Sequence, residues 1–267
     1  MAFVLKNPIL NMKNLKKLIL IFGVGGTGGN FAKEFCRYVS CLPDEDRKHI
    51  KICLIDGDVV EAKNLARQPF VATDVNQSKA EVLADAIAEN FDLDVMYYNK
   101  YITFVDQIQE IVASMRAKDT FTYNSIYMPM LIGCVDNHRA RQCMHEYFNM
   151  VQNIIYIDSA NEYENGEVVS AAKIDGKIIS QPRGFYFPEV LTDTSPSKVE
   201  ESCEQMNISS PQHIATNIMA GQIILSEVVK FLAKGTIDGG VIFFDAFKPS
   251  IVRRKYEENS EFSSGNN

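Results

Sequence analysis

Apolar runs and apolar stripes alternate along this chain with a regular beat. Leu18-Ile19-Leu20-Ile21-Phe22 is continuous and aliphatic, so residues 17–22 predict a strand covered on both faces. Over Asn30–Tyr38 the period changes, and Phe31, Phe35 and Tyr38 recur at helical spacing. A polar connection through Pro43, Asp44, Glu45 and Asp46 leads to a second strand, 51–56. Ser78–Asn90 predicts a helix with Val82, Leu83, Ala86 and Ile87 as its apolar stripe. Ser78 is its expected N-cap and Glu81 the capping-box partner. Next come a short strand at 93–97, a helix at Phe104–Met115, a strand at Met128–Val135, a helix at Asn137–Asn149 and a strand at Ile154–Asp158.

This alternation predicts an α/β fold with a doubly wound, mainly parallel, Rossmann-like sheet. From about Glu167 the texture changes. Val168–Ile174 and Ile178–Ile179 flank Asp175-Gly176, a hairpin signal. Residues 180–205, rich in Pro, Ser, Thr and Glu, read as a long mobile crossover loop. Ile214–Ala233 is a long closing helix, Val241–Phe247 a late strand, and 256–267 a disordered tail. The expectation is one domain over 1–255, its nucleotide-binding core at about 17–160 and its crossover and closing helix at about 167–247.

Composition narrows the function. A chain of 267 residues, 46% hydrophobic, can bury a large core. Its net charge of -7 and the lack of a long Lys/Arg run argue against nucleic acid. Lys13, Lys16 and Lys17, the densest basic group, read as a solvated surface. Six cysteines include no Cys-x-x-Cys pair and none near a His at ligand spacing, which argues against structural zinc and for a reducing cytoplasm. The N-terminus shows no signal-peptide pattern, and no stretch approaches the roughly 20 apolar residues of a membrane span.

The candidate chemistry lies in three blocks. Gly23-Val24-Gly25-Gly26-Thr27-Gly28 follows a strand and opens a helix. Gly23, Gly25, Gly26 and Gly28 permit a tight turn and let phosphate oxygens approach backbone N–H groups at a helix start. That loop alone does not choose between NAD, FAD and ATP. Asp56 ends the second strand, where a carboxylate can accept ribose hydroxyls, and Asp58 follows on the same side. Asn64, Arg67 and Gln68 lie in the next loop, with Asn64 and Arg67 spaced to face one phosphate. Lys79 opens a helix, where a cation is electrostatically misplaced unless a polyphosphate lies nearby. Asp136 ends the strand Leu131–Val135, where open α/β sheets place ligands. It is a candidate Mg²⁺ ligand or the N-cap of the helix that follows, where Asn137, Arg139 and Arg141 lie.

Taken in order, these blocks resemble the ThiF/MoeB/HesA family, adenylating enzymes that activate ubiquitin-like proteins and sulfur carriers. The matching elements are Gly23–Gly28, the run Asp56–Gln68, Lys79, and Cys134-Val135-Asp136-Asn137 with Arg141. Residues 202–232, from Cys203 through Asn217 to Lys230, resemble the family's stretch from a cysteine into a closing helix. The resemblance implies ATP- and Mg²⁺-dependent adenylation of the C-terminal carboxylate of a small ubiquitin-like or sulfur-carrier-like protein ending in Gly, with release of pyrophosphate. By position, the glycine loop and Asp56 would bind adenosine, Asn64, Arg67 and Lys79 the phosphates, and Asp136 the metal. Cys203 matches the thiol that takes the acyl group in some members; its neighbours Glu201 and Glu204 would raise its pKa. The family's zinc-binding cysteine pairs are absent, as is its N-terminal Arg-Tyr-x-Arg-Gln segment, whose arginine reaches a partner subunit. A homodimer is thus left open. Compact length without zinc resembles stand-alone bacterial members of PRTRC-type plasmid systems. Two other readings stand beside this one. An NAD(P)-dependent oxidoreductase would leave Asn64, Arg67, Lys79 and Asp136 unexplained; a catalytically silent partner-binding module would keep the fold alone.

Overall fold

A strand that is apolar without alternation must be covered on both faces, and every residue of Leu15–Phe22 is buried. The computed structural model describes residues 3–4, 15–118, 126–194 and 212–255. In chain order the elements of its first half are β1 (Phe3–Val4), β2 (Leu15–Phe22), α1 (Gly26–Ser40), α2 (Asp44–Arg47), β3 (Ile50–Ile55), α3 (Lys79–Phe91), β4 (Val95–Tyr98) and α4 (Val105–Ala117). There follow β5 (Ile126–Gly133), α5 (His138–Met150), β6 (Ile154–Asn161), β7 (Asn165–Ile174), β8 (Lys177–Ser180), α6 (Arg183–Tyr186) and α7 (Glu189–Thr192). The described chain closes with α8 (Ile214–Lys234), β9 (Thr236–Ile237), β10 (Gly240–Asp245) and β11 (Ser250–Arg254).

The main sheet runs β11-β10-β7-β6-β5-β2-β3-β4, with β8 added to β7. Pairs β2–β3, β2–β5, β3–β4 and β5–β6 are parallel. On the far side β7, β10 and β11 continue antiparallel. Helices α1, α3 and α8 cover one face with a core that includes Phe31, Phe35, Ile224 and Phe231. The other face packs Ile108, Met144 and Phe148 of α4 and α5. The chain leaves β2 towards β3 but leaves β5 towards β6. A crevice opens where those connections part, at the carboxyl ends of β2 and β5.

The doubly wound, mainly parallel sheet is thus present, and several local expectations are corrected. Helix α1 starts at Gly26, straight out of the glycine turn, rather than at Asn30. Lys16 and Lys17 are not solvated: both sit in β2, 7% and 8% exposed. Ser78 is the N-cap of α3, but its side chain makes no capping bond. Glu81 instead accepts from the Tyr97 hydroxyl and the Asn99 amide, both at 3.1 Å. The hairpin turn is as expected, with Asp175 and Gly176 at φ 49° and 75°. The crossover is folded over its first part, where α6 and α7 dock onto α5 and β7. Strand β11 has no counterpart in the sequence reading. Cys203 and the expected tail 256–267 lie outside the described residues. Finally, α8, with 21 residues and mean hydropathy 1.2, is long and apolar enough to cross a membrane by length and composition, contrary to the expectation that no stretch is. It is a core helix here: Ala220, Ile224, Val228 and Phe231 pack inward, and Glu227 on the same face is 4% exposed.

Candidate functional site

The glycine turn is shaped by close backbone approach. Gly23 has φ +79°, and a Cβ there would lie 2.7 Å from the Cys134 carbonyl oxygen. At Gly28 a Cβ would collide with the Gly23 carbonyl, so this glycine serves the turn's packing. At Gly26 it would collide with the Asn217 amide of α8. No side chain caps the start of α1 and its first turn holds no acid. Its N-terminal amides therefore suit an anion at the crevice.

Asp56 fastens this turn to β3. Its Oδ2 accepts from Val24 N at 2.8 Å and its Oδ1 from Asp58 N at 2.9 Å. Burial, then the neighbouring Asp58 carboxylate, push its pKa up, against the pull of Lys79 and the two N–H donors. Asp58 Oδ2 accepts from Lys79 Nζ at 2.8 Å, and its Oδ1 accepts from the Tyr101 hydroxyl. Lys79 is 6% exposed. Its place at a helix start therefore has an internal explanation: Asp58, not only a ligand, balances it.

The loop after β3 separates two roles. Asn64 is 4% exposed and does not line the crevice. Its Oδ1 accepts from Glu61 N at 2.8 Å, and its carbonyl accepts from Arg67 N and Gln68 N at 3.0 and 2.9 Å. Asn64 thus shapes the loop, and the expectation that it faces a phosphate beside Arg67 is corrected to that extent. Arg67 and Gln68 do line the crevice, Gln68 facing Gly25.

Past β5, Asn137 and not Asp136 caps α5, accepting from Ala140 N at 2.9 Å. Asp136 lines the crevice. Arg139 turns away, donating to the Thr103 carbonyl at 2.7 Å. Arg141 is 6% exposed and donates to the carbonyls of Val135 and Ser159 at 2.7 and 3.0 Å. Beneath it, Asp158 is 1% exposed and faces both Arg141 and Arg183, the latter delivered by α6 and also paired with Glu167.

The result is one cleft of about 640 Å³ that gathers Gly23, Gly25, Gly26, Asp56 and Asp58 with Arg67, Gln68, Lys79 and Asp136. Gly28 and Asn64 stand behind it. Sequence reasoning gave no role to Tyr101, Arg183 or Asn217. Asn217 is a polar residue on the buried face of a mostly apolar helix, as are Thr216 and Glu227, a signal that was available. Among the described residues no group of three His, Cys, Asp or Glu is placed to hold a metal. Burial pushes the thiols of Cys36 and Cys53 up to about 12 and that of Cys143 up to about 11, so none of these three is a poised nucleophile.

The crystal structure of E. coli MccB with ATP superposes with a TM-score of 0.62 at 17% identity, over 96% of this chain and 69% of that one. MccB with N-formylated MccA, described as the microcin C7 biosynthetic enzyme, gives 0.62 at 16% identity, over 96% and 69%. PaaA gives 0.60 at 16% identity and 92% coverage, and the chain spans just under two thirds of its length, 66%. These likenesses show a common fold. No curated protein matches significantly by sequence. The ThiF family profile matches residues 8–264, nearly the whole chain, and the protein belongs to the ThiF family.

Proposed function

We propose that the protein uses ATP and Mg²⁺ to adenylate the C-terminal carboxylate of a small ubiquitin-like or sulfur-carrier-like protein or peptide. One observation carries the reading: Arg67 and Lys79 from the connection between β3 and α3, and Asp136 from the connection between β5 and α5, line the same cleft as the glycine turn between β2 and α1. Family membership supports it, as do the fold neighbours, since MccB has been crystallised with ATP and with AMPCPP and MccA. An NAD-linked reading leaves Arg67 and Asp136 without a catalytic task, whereas Lys79 has Asp58 as its partner under either reading.

A carboxylate oxygen of the partner attacks the α-phosphorus. The bond from that phosphorus to the bridging oxygen breaks, and pyrophosphate leaves with the electron pair. The nucleophile is already ionised, so no general base is needed. Positioning and charge stabilisation then carry the rate. Asp56 would accept ribose hydroxyls, while Arg67 and Lys79 would hold phosphate oxygens. A single carboxylate suits Mg²⁺, which keeps several waters and is completed by phosphates, so Asp136 would hold the metal and the metal would offset phosphate charge. Transfer of the acyl group to the thiol of Cys203, with AMP leaving, is a proposed second step.

The test is ATP–pyrophosphate exchange with small Gly-terminated proteins encoded beside this one, followed by mass spectrometry. Partner-dependent exchange and an adenylate or thioester adduct are expected. Tight NAD binding without ATP binding would overturn the proposal.

A further inference from the structure

Tyr101 has no assigned task, yet it is held from three directions. Its carbonyl accepts from the Gln107 amide at 3.1 Å. Its ring lies against Gly57 so closely that a Cβ there would sit 2.6 Å from Tyr101 Cγ. Its hydroxyl donates to Asp58, on the oxygen that Lys79 does not use. The loop bearing it is fastened further, because Gln107 accepts from Thr103 N and Phe104 N at 2.8 and 3.0 Å. A tyrosine pinned this way at the wall of the cleft, beside Asp56 and Asp58, is a built feature.

Its electrostatic consequence follows from Asp58. That carboxylate has one strong claim on Lys79, and any phosphate in the cleft must compete with it. A phenol donating to the second oxygen draws carboxylate charge away from the ammonium and from the ligand. We propose that Tyr101 is a positioning residue that weakens the hold of Asp58 on Lys79, so that the ammonium can turn to the phosphates of a bound nucleotide. The inference rests on the ATP reading above. It adds that the hydroxyl acts only through Asp58, and only on phosphate-bearing ligands.

Tyr101→Phe keeps the ring and removes the bond. Calorimetry with ATP and Mg²⁺, and competition with adenosine, separate the possibilities, thermal unfolding serving as a check on folding. The expected result is a five- to tenfold weaker ATP affinity with adenosine affinity within twofold of wild type. In an Asp58→Asn background, loss of the hydroxyl should change ATP affinity less than twofold, since the charge it tempers is gone. Equal weakening of adenosine and ATP, an undiminished loss in the Asp58→Asn background, or no loss at all would each overturn the inference while leaving the ATP reading intact. A wild-type protein that binds no ATP would overturn both.

Discussion

Asn217 on α8 and Thr27 at the start of α1 share a hydrogen bond of 3.2 Å across 190 residues of sequence. Asn161, at the end of β6, donates to both, at 2.7 Å to Thr27 and 3.3 Å to Asn217. The closing helix therefore backs the glycine turn directly, and Gly26 is the residue over which Asn217 lies.

Two glycine variants should differ for this reason. In Gly26→Ala the new methyl meets a side-chain amide, and overpacking of that kind costs about 1–3 kcal/mol. Shortening the obstacle in Gly26→Ala/Asn217→Ala should recover part of the loss. In Gly28→Ala the methyl meets the Gly23 carbonyl, and no second side-chain change relieves that. Urea denaturation of the four proteins checks the ordering.

Asp136→Ala should abolish pyrophosphate exchange while shifting the unfolding midpoint little, because Asn137 and not Asp136 caps α5. A loss of at least 100-fold in exchange is expected, set against a change in stability within about 1 kcal/mol. Wild-type exchange in this variant would falsify the metal assignment.

Arg183→Met should destabilise strongly. It removes one of the two guanidinium partners that Asp158, 1% exposed, has among the described residues, and breaking a buried pair costs about 3–5 kcal/mol. Asp158→Asn/Arg183→Met should be less destabilised than Arg183→Met alone. Chemical denaturation tests this, and an additive double variant would show that the two side chains are not coupled.

The pH dependence of nucleotide affinity should report Asp56. Its carboxyl titrates above the ordinary 3.8, from burial first and Asp58 second. Affinity that needs the ionised form is present above that raised value and lost as pH falls through it. Asp58→Asn removes a like charge, so the midpoint should move down. For stability the sign is reversed, since an ionised Asp56 is less at ease folded than unfolded, and this group alone adds stability as pH falls through the same window. Titration of ATP binding from neutral to acid pH in both proteins measures the shift.

Cys203→Ala should retain adenylation and lose any thioester. A DTT-sensitive conjugate that persists in the variant would assign the thiol elsewhere.

The parallel half of the sheet was legible because its signals are local. Continuous aliphatic runs, helical stripes and a glycine turn between them need no long-range information. The cleft was legible for the same reason, since Asp56, Lys79 and Asp136 sit at or beside strand and helix ends and Arg67 lies in the short stretch of chain between them. What escaped depends on contacts between distant segments. The pairing of β10 with β7 and β11 is set by register across the sheet. Arg183 lies in a stretch whose composition reads as loop, and only the buried carboxylate beneath it reveals an anchor. Lys79 drew attention for its charge at a helix start, but the partner that explains much of it, Asp58, is 21 residues away. Asn64 has the residue type to reach a phosphate, but the fold of its loop buries it behind the crevice.

Helix α8 is tied at two levels, through Asn217 to the glycine turn and through Glu227 to Ser170 of β7 and Arg253 of β11. The first part of the chain is therefore no detachable cassette. A fragment ending after β6 would keep every glycine of the turn and the catalytic candidates Arg67, Lys79 and Asp136, yet lose the buttress that holds the turn in register. Grafting or truncation schemes for this scaffold must carry its last helix with them.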